Sequence, residues 1–168
     1  MLINLTNMIS IIMGSFSDFD IIKKAIDTLT DFDIEYDVQI LSAHRTPDET
    51  AKYVKEATEK GTKVFIAAAG MSAHLPGVVA ANTVVPVIGI PINASLQGLD
   101  ALLSIVQMPS GIPVATVGIN AAQNAALLAI QILATSDDIL MKKLIDYKNK
   151  LKEKIAKDQE ELEKKLSK

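Results

Sequence analysis

We predict from the order of its sequence patterns that this chain folds as a three-layer α/β domain with a doubly wound parallel sheet. Short apolar runs alternate with helical patterns along most of its 168 residues. That alternation is typical of a parallel sheet covered by helices on both faces. The runs at 8–13 and 64–69 are almost entirely apolar, as expected of strands buried on both sides. A chain of this length normally forms one domain.

The first elements are a strand at 8–13, a helix at 19–29 and a strand at 34–41. Ser17 or Asp18 can cap the helix, because short polar side chains accept hydrogen bonds from the first free N–H groups. The second strand alternates apolar and polar residues, which is the period of a β-strand.

The second helix has well specified boundaries. Thr46 is its predicted N-cap, Pro47 suits the first helical position, and Glu49 can complete a capping box with Thr46. Gly61 can end the helix in a left-handed conformation. The strand at 64–69 follows.

The second half of the chain continues the alternation. A short helix at 75–81 precedes a strand at 85–91, whose prolines stand near its two ends, where a lost ladder hydrogen bond costs least. A helix at 99–106, a strand at 114–117 and a helix at 121–134 complete the predicted body. The last helix carries no charge and is apolar all round, so we expect it to be buried.

From residue 137 onward the composition changes to lysine, glutamate and aspartate. Apolar residues recur there at spacings of four and seven: Leu140, Leu144, Leu151, Ile155, Leu162 and Leu166. This pattern predicts one long amphipathic helix whose narrow apolar stripe packs on a neighbouring subunit. Its balanced charges argue against a membrane surface. We divide the single domain into a body at 1–136 and this C-terminal helix at 137–168.

Composition excludes several classes of function. The chain has no cysteine, so disulfides, thiolate metal sites and cysteine nucleophiles are ruled out. Its net charge of -3 and its aromatic content of 4% argue against a nucleic-acid surface built from basic patches and stacking platforms. Residues 1–7 hold no basic residue and no cleavable apolar core, so we predict no signal peptide and a cytoplasmic protein. Translation could start at Met1 or at Met8.

Residues 64–136 contain a single formal charge, that of Asp100. Proline, glycine and asparagine break the segment too often for a membrane span. A monomer of this size would expose a good part of the segment, and large uncharged surfaces on soluble proteins mark contacts with other chains. We therefore expect a homo-oligomer whose interface comes mainly from this half.

Loops of small residues follow the first three predicted strands, at 14–18, 42–48 and 70–77. The carboxyl ends of parallel strands meet at one edge of the sheet, and open α/β sheets bind ligands there. Hydroxyl and backbone N–H groups of the first loop suit a ligand. Asp18 suits sugar hydroxyls, because its carboxylate would repel phosphate.

His44 and Arg45 stand in the second loop, directly before a helix. An imidazole can act as acid and as base near neutral pH, and a guanidinium beside a helix N-terminus favours an anion such as phosphate. Alternatively, both are ordinary surface side chains. His74, the other histidine, could face a ligand or pack at a helix start. Two histidines on separate loops make a poor metal site, and the absence of Gly-x-Ser-x-Gly disfavours a hydrolase.

Four motifs together closely resemble one enzyme family. They are Gly14-Ser15-Phe16-Ser17-Asp18, Ser42-Ala43-His44-Arg45-Thr46-Pro47-Asp48, Ala73-His74-Leu75-Pro76-Gly77 and Ser104-Ile105-Val106-Gln107-Met108-Pro109. In this order they resemble the class I N5-carboxyaminoimidazole ribonucleotide mutases of bacterial purine biosynthesis, with similarity from Met8 to Ala134. The resemblance implies a flavodoxin-like fold, a homo-octamer, and conversion of N5-carboxyaminoimidazole ribonucleotide to 4-carboxy-5-aminoimidazole ribonucleotide without cofactor or metal.

The resemblance also implies roles for single residues. His44 would be the general acid and base, and the ribonucleotide would contact Ser15, Asp18 and Arg45. The pocket would further be lined by Ser17, Ser42, Gly70, His74 and Leu75. Met71 and Ser72 stand where Gly-Ala is commoner in the family, so the chain departs from the pattern at the pocket surface. The charged tail beyond Ala134 matches least, and no function is carried onto it.

Two other functions stay open at this point. A class II enzyme of the same superfamily would carboxylate unmodified aminoimidazole ribonucleotide with free carbon dioxide, and it would stop working when bicarbonate is removed. A nucleotide-binding module without catalysis would keep its function after His44→Asn. The mutase would instead keep binding and lose turnover.

Overall fold

The computed structural model describes residues 8–167. The strands are β1 (Ile9–Met13), β2 (Tyr36–Ile40), β3 (Val64–Gly70), β4 (Val87–Ile92) and β5 (Ala115–Thr116). The helices are α1 (Phe19–Asp31), α2 (Pro47–Glu59), α3 (Leu75–Ala81), α4 (Leu99–Val106), α5 (Ala122–Ala134) and α6 (Asp138–Leu166). The predictions about residues 1–7 lie outside the described residues. Within 8–167, no helix is long and apolar enough to cross a membrane.

The five strands form one sheet in the order β2-β1-β3-β4-β5, and all four neighbouring pairs are parallel. This is the flavodoxin-like strand order. Helices cover both faces of the sheet, so the predicted three-layer, doubly wound class is confirmed. The predicted strands and helices all form, with end points that differ by up to a few residues.

Successive side chains of a strand serve two separate hydrophobic cores. Ile11 of β1 lies in the core shared with α1, α5 and the start of α6. Its neighbour Ile12 lies in the core shared with α2, α3 and α4. Gly89 lets α4 approach the sheet, because a Cβ there would stand only 2.4 Å from the Cγ2 atom of Ile105. The edge strand β2 is only partly buried, as its alternating sequence predicts.

The helix boundaries correct two predictions about capping. Neither Ser17 nor Asp18 caps α1 through its side chain. A 3-10 turn precedes the helix, and Ser15 accepts a hydrogen bond from the Ser17 N–H at its start. The capping box of α2 is also wrong, because the Thr46 side chain makes no capping bond. Gly61 does adopt the predicted left-handed conformation, with φ of 102°.

The two C-terminal helices are less buried than predicted. One face of α5 is buried, but its three amide side chains, Gln123, Asn124 and Gln131, are exposed, so the prediction of burial all round is wrong. In α6, Leu140 and Leu144 are buried in the α1–α5 core. From Lys148 to the end of the described chain, every residue is exposed.

Candidate functional site

The three predicted loops meet at the carboxyl edge of the sheet, around an open cavity of about 390 Å³. Eight of the nine predicted site residues line it: Ser15, Ser17, Asp18, Ser42, His44, Arg45, Gly70 and Leu75. The lining is completed by Gly14, Ala43, Ala69, Met71, Ala73 and Ala94. Residues from four strand ends therefore converge on one site, although they come from distant parts of the sequence.

His44 stands in the loop between β2 and α2, with its side chain exposed beside the cavity. Within residues 8–167, no group forms a hydrogen bond or ion pair with its ring. Both ring nitrogens are thus available to a ligand. A histidine ring with a free nitrogen beside a cavity can exchange a proton with a ligand bound there.

Backbone and hydroxyl bonds hold the His44 loop in shape. The Thr46 N–H donates to the Ser42 carbonyl at 2.8 Å, and the Ser42 N–H donates to Thr46 Oγ1 at 2.9 Å. The Thr46 hydroxyl therefore closes the loop on itself, which explains why it does not cap α2. The Arg45 N–H donates to Ser42 Oγ at 3.2 Å, and this third bond fixes the turn on which His44 sits.

Arg45 connects two of the loops that form the cavity. One of its terminal N–H groups donates to the carbonyl oxygen of Gly14 at 3.0 Å. Its Nε atom lies 3.5 Å from Ser42 Oγ. A guanidinium has five N–H donors in a rigid plane, so Arg45 keeps donors for an anion while its plane is held in place. Its charge lies beside the N-terminus of α2, where the helix dipole also favours an anion.

Asp18 lines the cavity from the loop that follows β1. The Ser17 hydroxyl lies 3.2 Å from Asp18 Oδ1, to which it can donate, and 2.9 Å from Ser15 Oγ. Burial raises the pKa of the Asp18 carboxyl, and the hydrogen bond from Ser17 acts in the opposite direction. A carboxylate that has lost part of its hydration is a strong acceptor for donors on a ligand.

The remaining surface of the cavity is small and apolar. It consists of Ala43, Ala69, Ala73, Leu75 and Ala94. A Cβ on Gly70 would lie 3.0 Å from the Ala94 Cβ, so glycine there lets the loops after β3 and β4 approach closely. Sequence analysis missed Ala94. The same rule that found the other loops could have found it, because 93–98 also follows a strand at this edge.

His74 is the predicted site residue that does not line the cavity. It is half-buried, and its Nδ1 atom lies 2.6 Å from the carbonyl oxygen of Ser104 in α4. Its ring covers Gly77, where a Cβ would stand 1.8 Å from His74 Nε2. The structure thus gives His74 the packed position that sequence analysis left as its alternative. There it ties the start of α3 to α4.

Within the described part of the chain, no three His, Asp or Glu side chains come together as a possible metal site. The cavity has one cationic group, Arg45, and one carboxylate, Asp18, on different loops. A guanidinium and a carboxylate on the lining of an otherwise small and neutral cavity suit a ligand that carries both an anionic group and hydroxyl groups.

Comparisons with known proteins agree with this geometry. Residues 8–154 match the family model described as AIR carboxylase. The N5-carboxyaminoimidazole ribonucleotide mutase of Methanocaldococcus jannaschii is 55% identical over 148 residues, which cover 88% of this chain and 92% of that protein. The enzyme of the same name from Pyrococcus abyssi is 53% identical over 145 residues, or 86% of this chain and 83% of that one. The crystal structure of Treponema denticola PurE superposes with a TM-score of 0.81 at 33% identity, covering 92% of this chain and 98% of the other.

Proposed function

This chain belongs to the AIR carboxylase family, and we propose that it converts N5-carboxyaminoimidazole ribonucleotide to 4-carboxy-5-aminoimidazole ribonucleotide in purine biosynthesis. The names of its relatives and their coverage of the chain support this activity. The reaction moves a carboxylate from an exocyclic nitrogen to a ring carbon. It is an isomerisation without net oxidation, so it needs proton transfer and retention of carbon dioxide rather than a cofactor.

The environment of His44 is the observation that carries the proposal. Its ring is free of hydrogen bonds to the described residues, and it lines the cavity together with polar and apolar residues. Arg45 beside it is anchored to the neighbouring loop. A substrate whose phosphate lies near Arg45 would place its heterocycle within reach of the imidazole.

We assign both proton transfers to His44. In the first half of the reaction the imidazolium gives its proton to the exocyclic nitrogen as the N–C bond breaks and carbon dioxide leaves. The ring carbon then attacks carbon dioxide, forming the new C–C bond. Neutral His44 removes the proton from that carbon, which restores the aromatic ring and the imidazolium. No proton is gained or lost over the cycle.

Retention of carbon dioxide accounts for the rest of the catalysis. Positioned proton transfer contributes about 10²–10⁴-fold in rate, whereas well oriented intramolecular reactions reach effective molarities of about 10⁵ M or more. Ala69, Ala73 and Leu75 offer the released molecule a surface without charge or strong hydrogen-bond donors. Carbon dioxide held there meets the ring carbon before it can escape.

The other polar residues are proposed to bind the ribonucleotide. Arg45 contacts the phosphate of the ribonucleotide, and Asp18 accepts hydrogen bonds from the ribose hydroxyls. Ser15 supplies a further hydroxyl group to the ribose-phosphate part of the ligand. The remaining members of the site, Ser17, Ser42, Gly70 and Leu75, shape the cavity. We propose that His74 acts as a positioning residue, since it holds the start of α3, where Leu75 lies, against α4.

The decisive experiment supplies the carbamate ribonucleotide to purified protein and follows the ultraviolet absorbance of the ring product. We expect turnover in bicarbonate-depleted buffer. His44→Asn should lose turnover by about 10²-fold or more while still binding the product in a titration. Full activity of His44→Asn would contradict the assignment of the proton carrier, and loss of its product binding would point to a binding role instead.

The description of the matched family favours one second candidate, a carboxylase that uses free carbon dioxide and unmodified aminoimidazole ribonucleotide. The same cavity could serve that reaction, because the second half of the cycle is common to both. Arg45-Thr46-Pro47 and His74-Leu75-Pro76 favour the mutase by resemblance. Turnover that requires added bicarbonate and accepts the unmodified ribonucleotide would establish the carboxylase.

We also propose that the protein is a cytoplasmic homo-octamer. In support, the uncharged half of the chain presents an apolar stripe on α4, formed by Leu99, Leu103 and Val106, each about half exposed. Exposed apolar stripes of this kind mark contacts between chains. The assembly would bring further residues to the open side of the cavity.

A further inference from the structure

The distal half of α6 presents an apolar stripe that its own subunit does not cover. We call residues 151–167 the α6 extension, and all of them are exposed. Most of the extension lies beyond residue 154, where the family match ends. Leu151, Ile155, Leu162 and Leu166 expose between 48% and 77% of their surface. A helical segment this short is marginal in water without a packing partner.

The exposed stripe continues the buried one. Leu151 and Leu162 follow the buried Leu140 at steps of eleven residues, and Ile155 and Leu166 follow the buried Leu144 in the same way. Eleven residues are close to three turns of helix, so all these side chains stand on one face of α6. The face that packs on the domain core therefore runs on beyond the edge of the domain.

We propose that the α6 extension pairs in antiparallel fashion with the α6 extension of a second copy of this chain. The apolar stripe fits this arrangement, because it is symmetric about the midpoint between Asp158 and Gln159. With a two-fold axis through that midpoint, Leu151 faces Leu166 of the second copy. Ile155 then faces Leu162 of the second copy. The same patch is used on both chains, as a two-fold interface requires.

The charges of the extension favour the same register. Lysines predominate at 148–157, and the acidic residues Asp158, Glu160, Glu161 and Glu163 follow. About the same axis, Lys152 lies near Glu163 of the second copy, and Lys154 lies near Glu161, because the two members of each pair stand on the same flank of the stripe. The symmetric arrangement doubles each of these contacts.

Two pairs in this register carry like charges. Lys154 lies near Lys165 of the second copy, but Lys165 already has an ion pair with Glu161 of its own helix at 2.7 Å. The two Asp158 carboxylates also face each other next to the axis. In a parallel, in-register pairing, each segment would instead lie beside the same segment of the second copy. The lysine-rich segment would then face lysines, and the acidic segment would face aspartate and glutamate. Like charges at neighbouring helix positions are destabilising. The antiparallel pairing is therefore the one that the sequence supports.

Asp158 is the polar interruption of the stripe. In the proposed pair it lies next to the axis, where it faces Asp158 of the second copy. A polar residue at one seam position sets the register and orientation of paired helices at some cost in stability. Asp158 would act in this way, because a shift of the register would set it against an apolar residue.

Cysteine cross-linking can test the pairing directly, since the chain has no cysteine of its own. Three full-length variants are compared under mild oxidation: Asp158→Cys, Leu151→Cys, and the double variant Leu151→Cys/Leu166→Cys. Each sample is run on a non-reducing denaturing gel, with the wild-type chain as control. Residues 151 and 166 of one chain are about 22 Å apart along the helix, so the double variant cannot close a disulfide within one chain.

The antiparallel pair predicts that Asp158→Cys and the double variant shift to twice the monomer mass. Leu151→Cys alone should stay at the monomer mass, because the cysteine of one chain lies at the opposite end of the helix pair from the cysteine of the other chain. Cross-linking of Leu151→Cys alone would overturn the antiparallel orientation. If all three variants stay at the monomer mass, the pairing itself is wrong. The stripe would then be exposed to solvent or covered by another surface. The gel reads geometry and not turnover, so its outcome is independent of the proposed activity.

Discussion

The two histidines of this chain stand in loops of similar sequence, yet their rings have opposite environments. Each follows a strand of the parallel sheet and precedes a helix with proline in its first turn. The His44 ring has no hydrogen-bonding partner within residues 8–167 and faces the cavity. The His74 ring is bonded to the Ser104 carbonyl and packed over Gly77. Position after a strand therefore does not by itself bring a histidine to the cavity, since a bond to the distant Ser104 carbonyl holds the His74 ring away from it.

The largest effect should come from replacing each imidazole by asparagine in turn. His44→Asn removes the proposed proton carrier, so we expect turnover to fall by about 10²–10⁴-fold with little change in stability. His74→Asn removes a partly buried hydrogen bond, so we expect it to lose about 1 kcal/mol of stability and to retain most of its turnover. Steady-state rates and urea unfolding of both variants measure the contrast.

A pH profile separates a positioning role for His74 from a chemical one. If His74 only holds the loop, the rate of His74→Asn should keep the wild-type dependence on pH, scaled down by a constant factor. A profile that changes shape in His74→Asn would make His74 a second proton carrier. The comparison between the two loops would then fail.

Gly77→Ala should have the next largest effect, because it acts on the packed histidine alone. The new Cβ would stand 1.8 Å from His74 Nε2 and 2.2 Å from Cε1, so the ring must leave the Ser104 carbonyl. Overpacking of this kind costs about 1–3 kcal/mol, measured as a lower urea midpoint. Gly118→Ala is the matched control, since its Cβ would meet only Ala121, at an ordinary 3.6 Å.

A double variant makes the Gly77 test specific. In a His74→Ala background the clash is gone, so adding Gly77→Ala should cost much less than it does in the wild-type chain. Residues in direct contact show such non-additive effects. Equal costs in the two backgrounds would mean that Gly77 is needed for its backbone rather than for the space under the imidazole.

The sheet and the loops around the cavity were predictable from the sequence because both depend on short-range patterns. Apolar runs such as 64–69 identified the strands, and parallel strands necessarily bring their carboxyl ends together. The same reasoning placed Ser15, Asp18 and Arg45 at one site. It could also have included Ala94, whose loop follows β4, but an alanine carries no chemical signal by itself.

What the sequence could not decide depends on contacts between distant residues. His74 is separated by thirty positions from the Ser104 carbonyl that binds it, and no local pattern encodes that bond. Thr46 is a local exception, because its hydroxyl had two possible uses within its own loop and helix, and the structure uses it to close the loop rather than to cap the helix. Helix α5 has an apolar sequence, but which of its faces packs depends on where α1 and α6 lie.

The smallest effect on stability should come from a change at Asp18, which lines the cavity as His44 does. Burial raises the pKa of the Asp18 carboxyl above its ordinary value, which is its value in the unfolded chain. At a pH between the unfolded and the folded pKa, the folded chain therefore keeps a proton on Asp18 that the unfolded chain has released. Stability therefore falls as pH rises through that window, and the partly dehydrated carboxylate remains a cost at neutral pH. Asp18→Asn should remove the cost and raise stability at pH 7, by less than about 1 kcal/mol because the group is partly solvated.

The same change should weaken substrate binding, since a neutral amide is a poorer acceptor for ribose hydroxyls than a carboxylate. We expect the KM of Asp18→Asn to rise several-fold while its urea midpoint increases. Asp20→Asn is the control, because exposed Asp20 stands in the first turn of α1, where loss of a negative charge is slightly destabilising. A loss of stability in Asp18→Asn at pH 7 would contradict this prediction. Asp18 would then have a structural role like that of His74, and His44 and Arg45 would be the only charged or titratable cavity residues left for the ligand.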